Sequence, residues 1–231
     1  KNPYIHNGKE VKKEEGLAKN MKDFFQERER AKSFFVGMGL YFWWMIYQIY
    51  IPITIIHIGY SQDVVGMVIA GSTVPLILLE VWVTKKAQIG GLKKYITAGY
   101  LFLACIALAL YATQEIPLAM VILMIIANIG AAFIEPLHEV CFFQATPKED
   151  EERLYGIYRA SSPIANILTP LIGGIIISIA GMNGLWIFCA IFLFVIATIA
   201  FSLGKKTSPK YNYQTLKTWI QSHLLGRQVH S

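Results

Sequence analysis

A charged side chain at the centre of a membrane span costs roughly 2.5–3.5 kcal/mol on insertion scales, so ionisable groups inside apolar sequence are functional candidates. Three sets of polar, aromatic and small residues stand at helical spacing in apolar stretches of this chain. Asn128, Ala131, Ala132, Glu135, His138 and Glu139 form the first. Arg159, Ser162, Asn166, Thr169 and Gly173 form the second, and Gly37, Tyr41, Trp44 and Gln48 the third. Steps of three and four put each set on one helix face. Carboxylates facing a cavity can take up and release protons, and Arg159 can hold an anionic group or pair with Glu135 or Glu139. Together the stripes predict a shared hydrated interior that a small solute crosses, with Tyr41, Trp44, Gln48, Asn128, Glu135, His138, Glu139, Arg159, Ser162 and Asn166 as path or coupling residues. A second reading stays open for Glu135 and Glu139: they come late in their helix and could mark the headgroup boundary. For the aromatic residues the second reading is helix packing.

Bond-making chemistry is not supported. His138-Glu139 lacks the second histidine of a zinc protease helix, because position 142 is Phe142. Ser72 follows Ala70-Gly71, without the glycine frame of a nucleophile elbow. Cys105, Cys141 and Cys189 are dispersed, with neither metal-ligand spacing nor a disulfide framework, and read as buried small hydrophobes. No enzyme, cofactor or metal is expected.

The elements that carry these residues follow from composition. The chain has 231 residues, 55% of them hydrophobic and 16% charged, against about 45–50% and 25% in soluble domains. An interior of this size cannot hide that surplus. A spanning helix needs about 20 apolar residues, and six runs qualify: 34–58, 64–83, 95–112, 116–134 or further, 154–180 and 184–203. Short breaks rich in Gly, Asn, Asp and Ser separate them. No ten-residue segments alternate with period 2, which excludes a barrel of that kind. The fold class is an all-α integral membrane protein with six transmembrane helices.

All 21 Lys and Arg fall before 34, in 84–94, in 145–153, at Arg159 or after 203. The positive-inside rule then makes both termini and the second and fourth loops cytoplasmic. The net charge of +6 reads as topology and contact with anionic lipid, with no nucleic-acid partner. Residues 1–33 read as a polar cytoplasmic connector in which Leu17, Met21, Phe24 and Phe25 recur at helical spacing, so part of it can lie on the membrane surface. The connector is no signal peptide, and Lys1 implies that something precedes it. Residues 205–231 read as a cytoplasmic tail, in which Leu216, Trp219, Ile220, His223 and Leu224 make a short amphipathic stripe.

Three motifs in order carry a resemblance. The loop Thr84-Lys85-Lys86-Ala87-Gln88-Ile89-Gly90-Gly91-Leu92-Lys93-Lys94 is similar to a signature G-x-x-x-D-R/K-x-G-R/K-R/K, with Thr84 in place of the first glycine and Gln88 in place of the aspartate. Pro147 to Gly156 looks like an acidic-basic loop ahead of a penultimate helix. Thr169-Pro170-Leu171-Ile172-Gly173-Gly174 is similar to G-P-x-x-G-G. Pro170 lets its helix bend, and the glycine pair admits a close neighbour. On these the chain resembles the major facilitator superfamily, specifically its carboxy-terminal six-helix half. The resemblance implies two nested three-helix inverted repeats and an amino-terminal six-helix half of the same transporter as partner. It implies alternating access of a small-molecule solute, proton-coupled or by uniport, in a bacterial or archaeal inner membrane. The first and fourth helices would line the path. Gln88, Gly91, Lys93, Lys94, Thr169, Pro170, Gly173 and Gly174 would serve gating or helix packing. The competing reading is a complete six-helix membrane protein acting as an oligomeric channel or scaffold subunit.

Overall fold

The computed structural model describes residues 16–204, apart from the side chains of Gln88 and Ile89. The tail stripe from Leu216 to Leu224 and the charged run of 1–15 lie outside the described residues. Among the described residues every regular element is helical. They are α1 (Leu17–Gln26), α2 (Arg28–Met45), a π-helical turn (Ile46–Tyr50), α3 (Ile51–His57), α4 (Gln62–Gly90) and α5 (Leu92–Ala112), then α6 (Pro117–Ile134), α7 (His138–Ala145), α8 (Lys148–Arg159) and α9 (Ser161–Phe201).

Five stretches among the described residues are long and apolar enough to cross a membrane: Arg28–His57, Gln62–Ala87, Leu92–Ala112, Pro117–Ala145 and Lys148–Phe201. The first is one continuous rod. Its π turn, in which the Ile51 N–H reaches back to Ile46 O, sits just before Pro52, whose ring has no N–H to give the preceding turn. It also begins at Arg28, six residues before the expected start at 34. Glu29 and Lys32, paired at 2.7 Å, sit one turn apart and carry the helix past the apolar boundary.

The last stretch, at 54 residues, is too long for one crossing, and its contacts show where it turns. Gly37 faces Ser161, and the Tyr50 hydroxyl donates to Pro170 O at 3.0 Å, so 161–170 runs alongside 37–50 in the same direction. Farther on, Gly39 faces Ile196 and Gly204 N–H donates to Glu29 Oε2 at 2.7 Å, so 196–204 runs the opposite way. The reversal falls at Gly181, φ +68° and ψ −173°, a backbone that favours glycine. The expected runs end at 180 and resume at 184, and within that break one residue makes the reversal.

A second difference touches the candidate residues directly. The sequence reading carries 128 to 139 on one helical face, but α6 ends at Ile134 and α7 starts at His138. Pro136 cannot donate to the carbonyl four residues back, so 135–137 form a turn. His138 and Glu139 therefore belong to a different helix from Asn128.

The core lies between α2, α5 and the returning arm of α9, around Leu40, Trp43, Tyr100, Leu103, Leu193 and Ile196. The Tyr100 hydroxyl donates to Val36 O across it. Helices α5 and α6 cross with almost no gap: a Cβ on Gly99 would lie 2.7 Å from Gly130 O. Lipid tails are as apolar as leucine, so close packing of this kind, rather than exclusion of water, holds such helices together. Several faces stay uncovered among the described residues. On α4, Met67, Ile77, Leu78 and Val81 are exposed, and on 161–180 Ile167, Leu171, Ile175 and Ile179 are. Cys105 is also exposed, contrary to the expectation that the cysteines are buried, while Cys141 and Cys189 are buried.

Candidate functional site

Near the end of the bundle that holds Glu29, Arg153 and Gly204, four side chains from α2, α7 and α8 form a polar chain. The Arg159 Nη1 donates to Glu139 Oε1 at 3.0 Å and to the Tyr41 hydroxyl at 3.1 Å. The Tyr155 hydroxyl donates to the same Glu139 oxygen at 3.1 Å. Half of the Arg159 side chain and about a third of that of Glu139 remain exposed, so the ion pair contributes only about 1 kcal/mol, like pairs on a wet surface.

Glu135 is arranged differently. It sits in the turn after α6, and its Oε2 accepts the Trp44 indole N–H at 2.8 Å. No other hydrogen bond or ion pair joins its carboxylate among the described residues. Helix α6 has 18 residues, about 27 Å at 1.5 Å per residue, so Glu135 stands toward the basic end of the span. Trp44 lies ten residues past Phe34, about 15 Å into the rod, and its indole bridges from that depth to the carboxylate. Of the two carboxylates, Glu139 is neutralised by a cation and Glu135 is held by a neutral donor.

The remaining candidates separate into packed and open groups. His138 is buried, its Nδ1 2.6 Å from the Tyr158 hydroxyl, with the Tyr41 ring edge-on at 5.6 Å. Asn128 is buried too, its Oδ1 accepting the Trp43 indole N–H at 3.4 Å. Gln48 lies exposed within the π turn, Ser162 is half-buried and Asn166 exposed. Thr169 and Gly173 are buried, and a Cβ on Gly173 would run into the Tyr50 ring at the end of the π turn. The stripe expected from Arg159 to Gly173 is thus split between an open face and a packing face.

The stretch 84–94, expected as a loop, is helical apart from Gly91, which has φ +86° and joins α4 to α5. Lys93 lies 4.3 Å over the Phe201 ring, a cation–π contact tying α5 to the end of α9, and Lys94 is exposed. The Gln88 side chain is outside those described. A shallow depression of about 540 Å³ lies on the open face of α9, lined by Pro170, Leu171, Gly174, Ile175, Ser178 and Ile179. None of these lining residues is ionisable.

Sequence reasoning missed Trp43, Tyr155 and Tyr158. Tyr155 precedes Arg159 by one turn, the spacing of side chains that meet on one helix face, and that signal was available. Trp43 was not distinguishable from Trp44, since adjacent residues differ only in helix phase. Ser72 is buried and its hydroxyl meets that of Tyr47, a structural bond between α4 and the π turn.

A profile of the Major Facilitator Superfamily matches residues 33–228. Neither the curated proteins nor the solved structures contain a match.

Proposed function

The chain belongs to the Major Facilitator Superfamily, and from that premise we propose that it forms the carboxy-terminal six-helix half of a secondary transporter in which Glu135 is the proton site. Membership makes it a multi-pass membrane protein that acts in the transport of small solutes. On the finer reading, the five apolar stretches count as six spans once the last is divided at Gly181, arranged as two three-helix repeats. The uncovered faces of α4 and 161–180 meet the amino-terminal half, and both termini are cytoplasmic.

The observation that carries the proton assignment is the contrast between the two carboxylates. Protonating Glu139 would break its ion pair with Arg159. Protonating Glu135 breaks no ion pair among the described residues, while Trp44 can donate to either form. Proton exchange is therefore cheapest at Glu135. Around it, Arg159 and Tyr41 face the cluster from α8 and α2, and His138 is committed to Tyr158. Rocking the two halves would expose Glu135 to each side in turn, with the Glu139–Arg159 pair bracing α7 against α8.

The test is a panel of radiolabelled solutes offered to the full-length protein in proteoliposomes with an imposed pH gradient. Accumulation of one solute that follows the gradient supports the reading. Exchange of a solute with no response to the gradient would make the protein a uniporter and remove the role of Glu135.

A further inference from the structure

We propose that α1 is a lipid-docking helix, one edge of which lies in the surface of an anionic bilayer while the neighbouring edge is pinned to α8. At about 100° per residue, Leu17, Ala18, Met21 and Phe25 share one arc of α1, and Asn20, Asp23 and Phe24 share the next. The second arc is occupied. Arg153 Nη1 on α8 donates to Asn20 Oδ1 at 2.7 Å and to Asp23 Oδ2 at 3.0 Å. Phe24 is fully buried, stacked 6.2 Å from Phe142 of α7. At the far end of α1, Arg30 Nη2 donates to Asp23 O at 2.6 Å, satisfying a carbonyl of its last turn, where a cation is favoured. These contacts fix how the helix is rotated.

Fixed in that way, α1 presents its first arc outward. Leu17 is 71% exposed, Met21 46% and Phe25 38%, and none of the described residues covers them. Two features identify the occupant. The arc adjoins the membrane-facing surface: Phe25 meets Phe34 edge-on at 5.3 Å, Phe34 meets Phe35 at 5.8 Å, and Phe35 is 38% exposed where the first span begins. Apolar rings thus link the span to α1, through the buried ring of Phe34. The exposed cations Lys22 and Arg28 flank the arc, as expected of a helix whose apolar edge sits among acyl chains and whose flanks reach headgroup phosphates. A protein partner needs no such flanking charge.

The experiment places a photoreactive benzoylphenylalanine at 17, 21 or 25, and at the exposed Gln26 as control, in the full-length protein. The protein is held in nanodiscs of phosphatidylglycerol and phosphatidylcholine, and adducts are identified by mass spectrometry. The expected result is lipid adducts at 17, 21 and 25 and few at 26. Phosphatidylglycerol should be favoured by roughly fivefold for each flanking cation engaged, and Lys22→Gln should reduce that preference without removing the adducts. Peptide adducts at 17, 21 and 25 would show that protein covers the arc, from the other half or a second copy, and would overturn the proposal. Absence of adducts at all four positions would show an arc open to water and overturn it equally.

Discussion

Gly173 and Gly174 are neighbours in one helix, yet they should respond in opposite ways to a single added methyl. At Gly173 a Cβ would lie 2.4 Å from the Tyr50 hydroxyl oxygen and 2.6 Å from its ring carbon Cζ, about 1 Å inside ordinary contact. The buried Tyr50 must swing away, giving up its bond to Pro170 O, or the helices must part. Overpacking of this kind costs about 1–3 kcal/mol, and the lost hydrogen bond adds about 1 kcal/mol. The better helix propensity of alanine returns about 1 kcal/mol. Gly173→Ala should therefore destabilise by about 1–3 kcal/mol, which at about 2–4 °C per kcal/mol lowers Tm by roughly 5 °C. Gly174 has no atom within 4 Å of its would-be Cβ, so Gly174→Ala keeps only the propensity gain, raising Tm by about 2–4 °C. Thermal unfolding of the purified protein in detergent, followed by tryptophan fluorescence, reads both. Combining Gly173→Ala with Tyr50→Leu should recover much of the loss, because the obstructing ring is gone. Equal falls for the two glycines, or no rescue, would refute the packing argument.

Gly99→Ala should be the more damaging glycine change, since its Cβ would meet backbone as well as side chain, Gly130 O and Ile134 Cγ1 both at 2.7 Å; the same unfolding assay should show a fall at the upper end of the roughly 1–3 kcal/mol overpacking range. A double-mutant cycle of Glu139→Gln and Arg159→Gln should give a coupling of about 1 kcal/mol, reduced by high salt because the pair is open to water. A coupling above about 3 kcal/mol would mean a dry, closed pair. Arg153→Ala removes the side chain that holds Asn20 and Asp23, so amide exchange in α1 should speed up several-fold while exchange in α5 is unchanged.

The distribution of apolar residues made the helical membrane fold legible, because a run near 20 residues has few other uses. Its breaks were harder to read. Pro136 interrupts the helix inside an apolar stretch, and helical spacing continues in number across the turn although the physical face does not. For that reason Glu135 and Glu139, one helical turn apart on paper, sit on different elements, and spacing alone could not decide which carboxylate meets Arg159. Gly181 posed the opposite problem. A four-residue turn cluster was visible, but a reversal that uses a single left-handed residue depends on helix contacts such as Gly39 with Ile196. The stripe from Arg159 to Gly173 shows the general limit: it identifies a face, and only the position of the neighbouring rod, with Tyr50 in its π turn, determines that Gly173 packs while Asn166 stays open. Tyr155 stands one turn before Arg159, a spacing visible in the sequence, but only the placement of α7 shows that both meet Glu139.

The central claim is that Glu135 carries the coupling proton, and the most direct measurement compares wild type with Glu135→Gln in proteoliposomes containing the full-length transporter and its identified solute. Two fluxes are read: accumulation against a gradient driven by an imposed pH difference, and counterflow exchange without one. The account predicts that Glu135→Gln loses pH-driven accumulation and keeps counterflow, because the amide can still accept the Trp44 N–H while carrying no exchangeable charge. Full pH-driven accumulation in Glu135→Gln would contradict it.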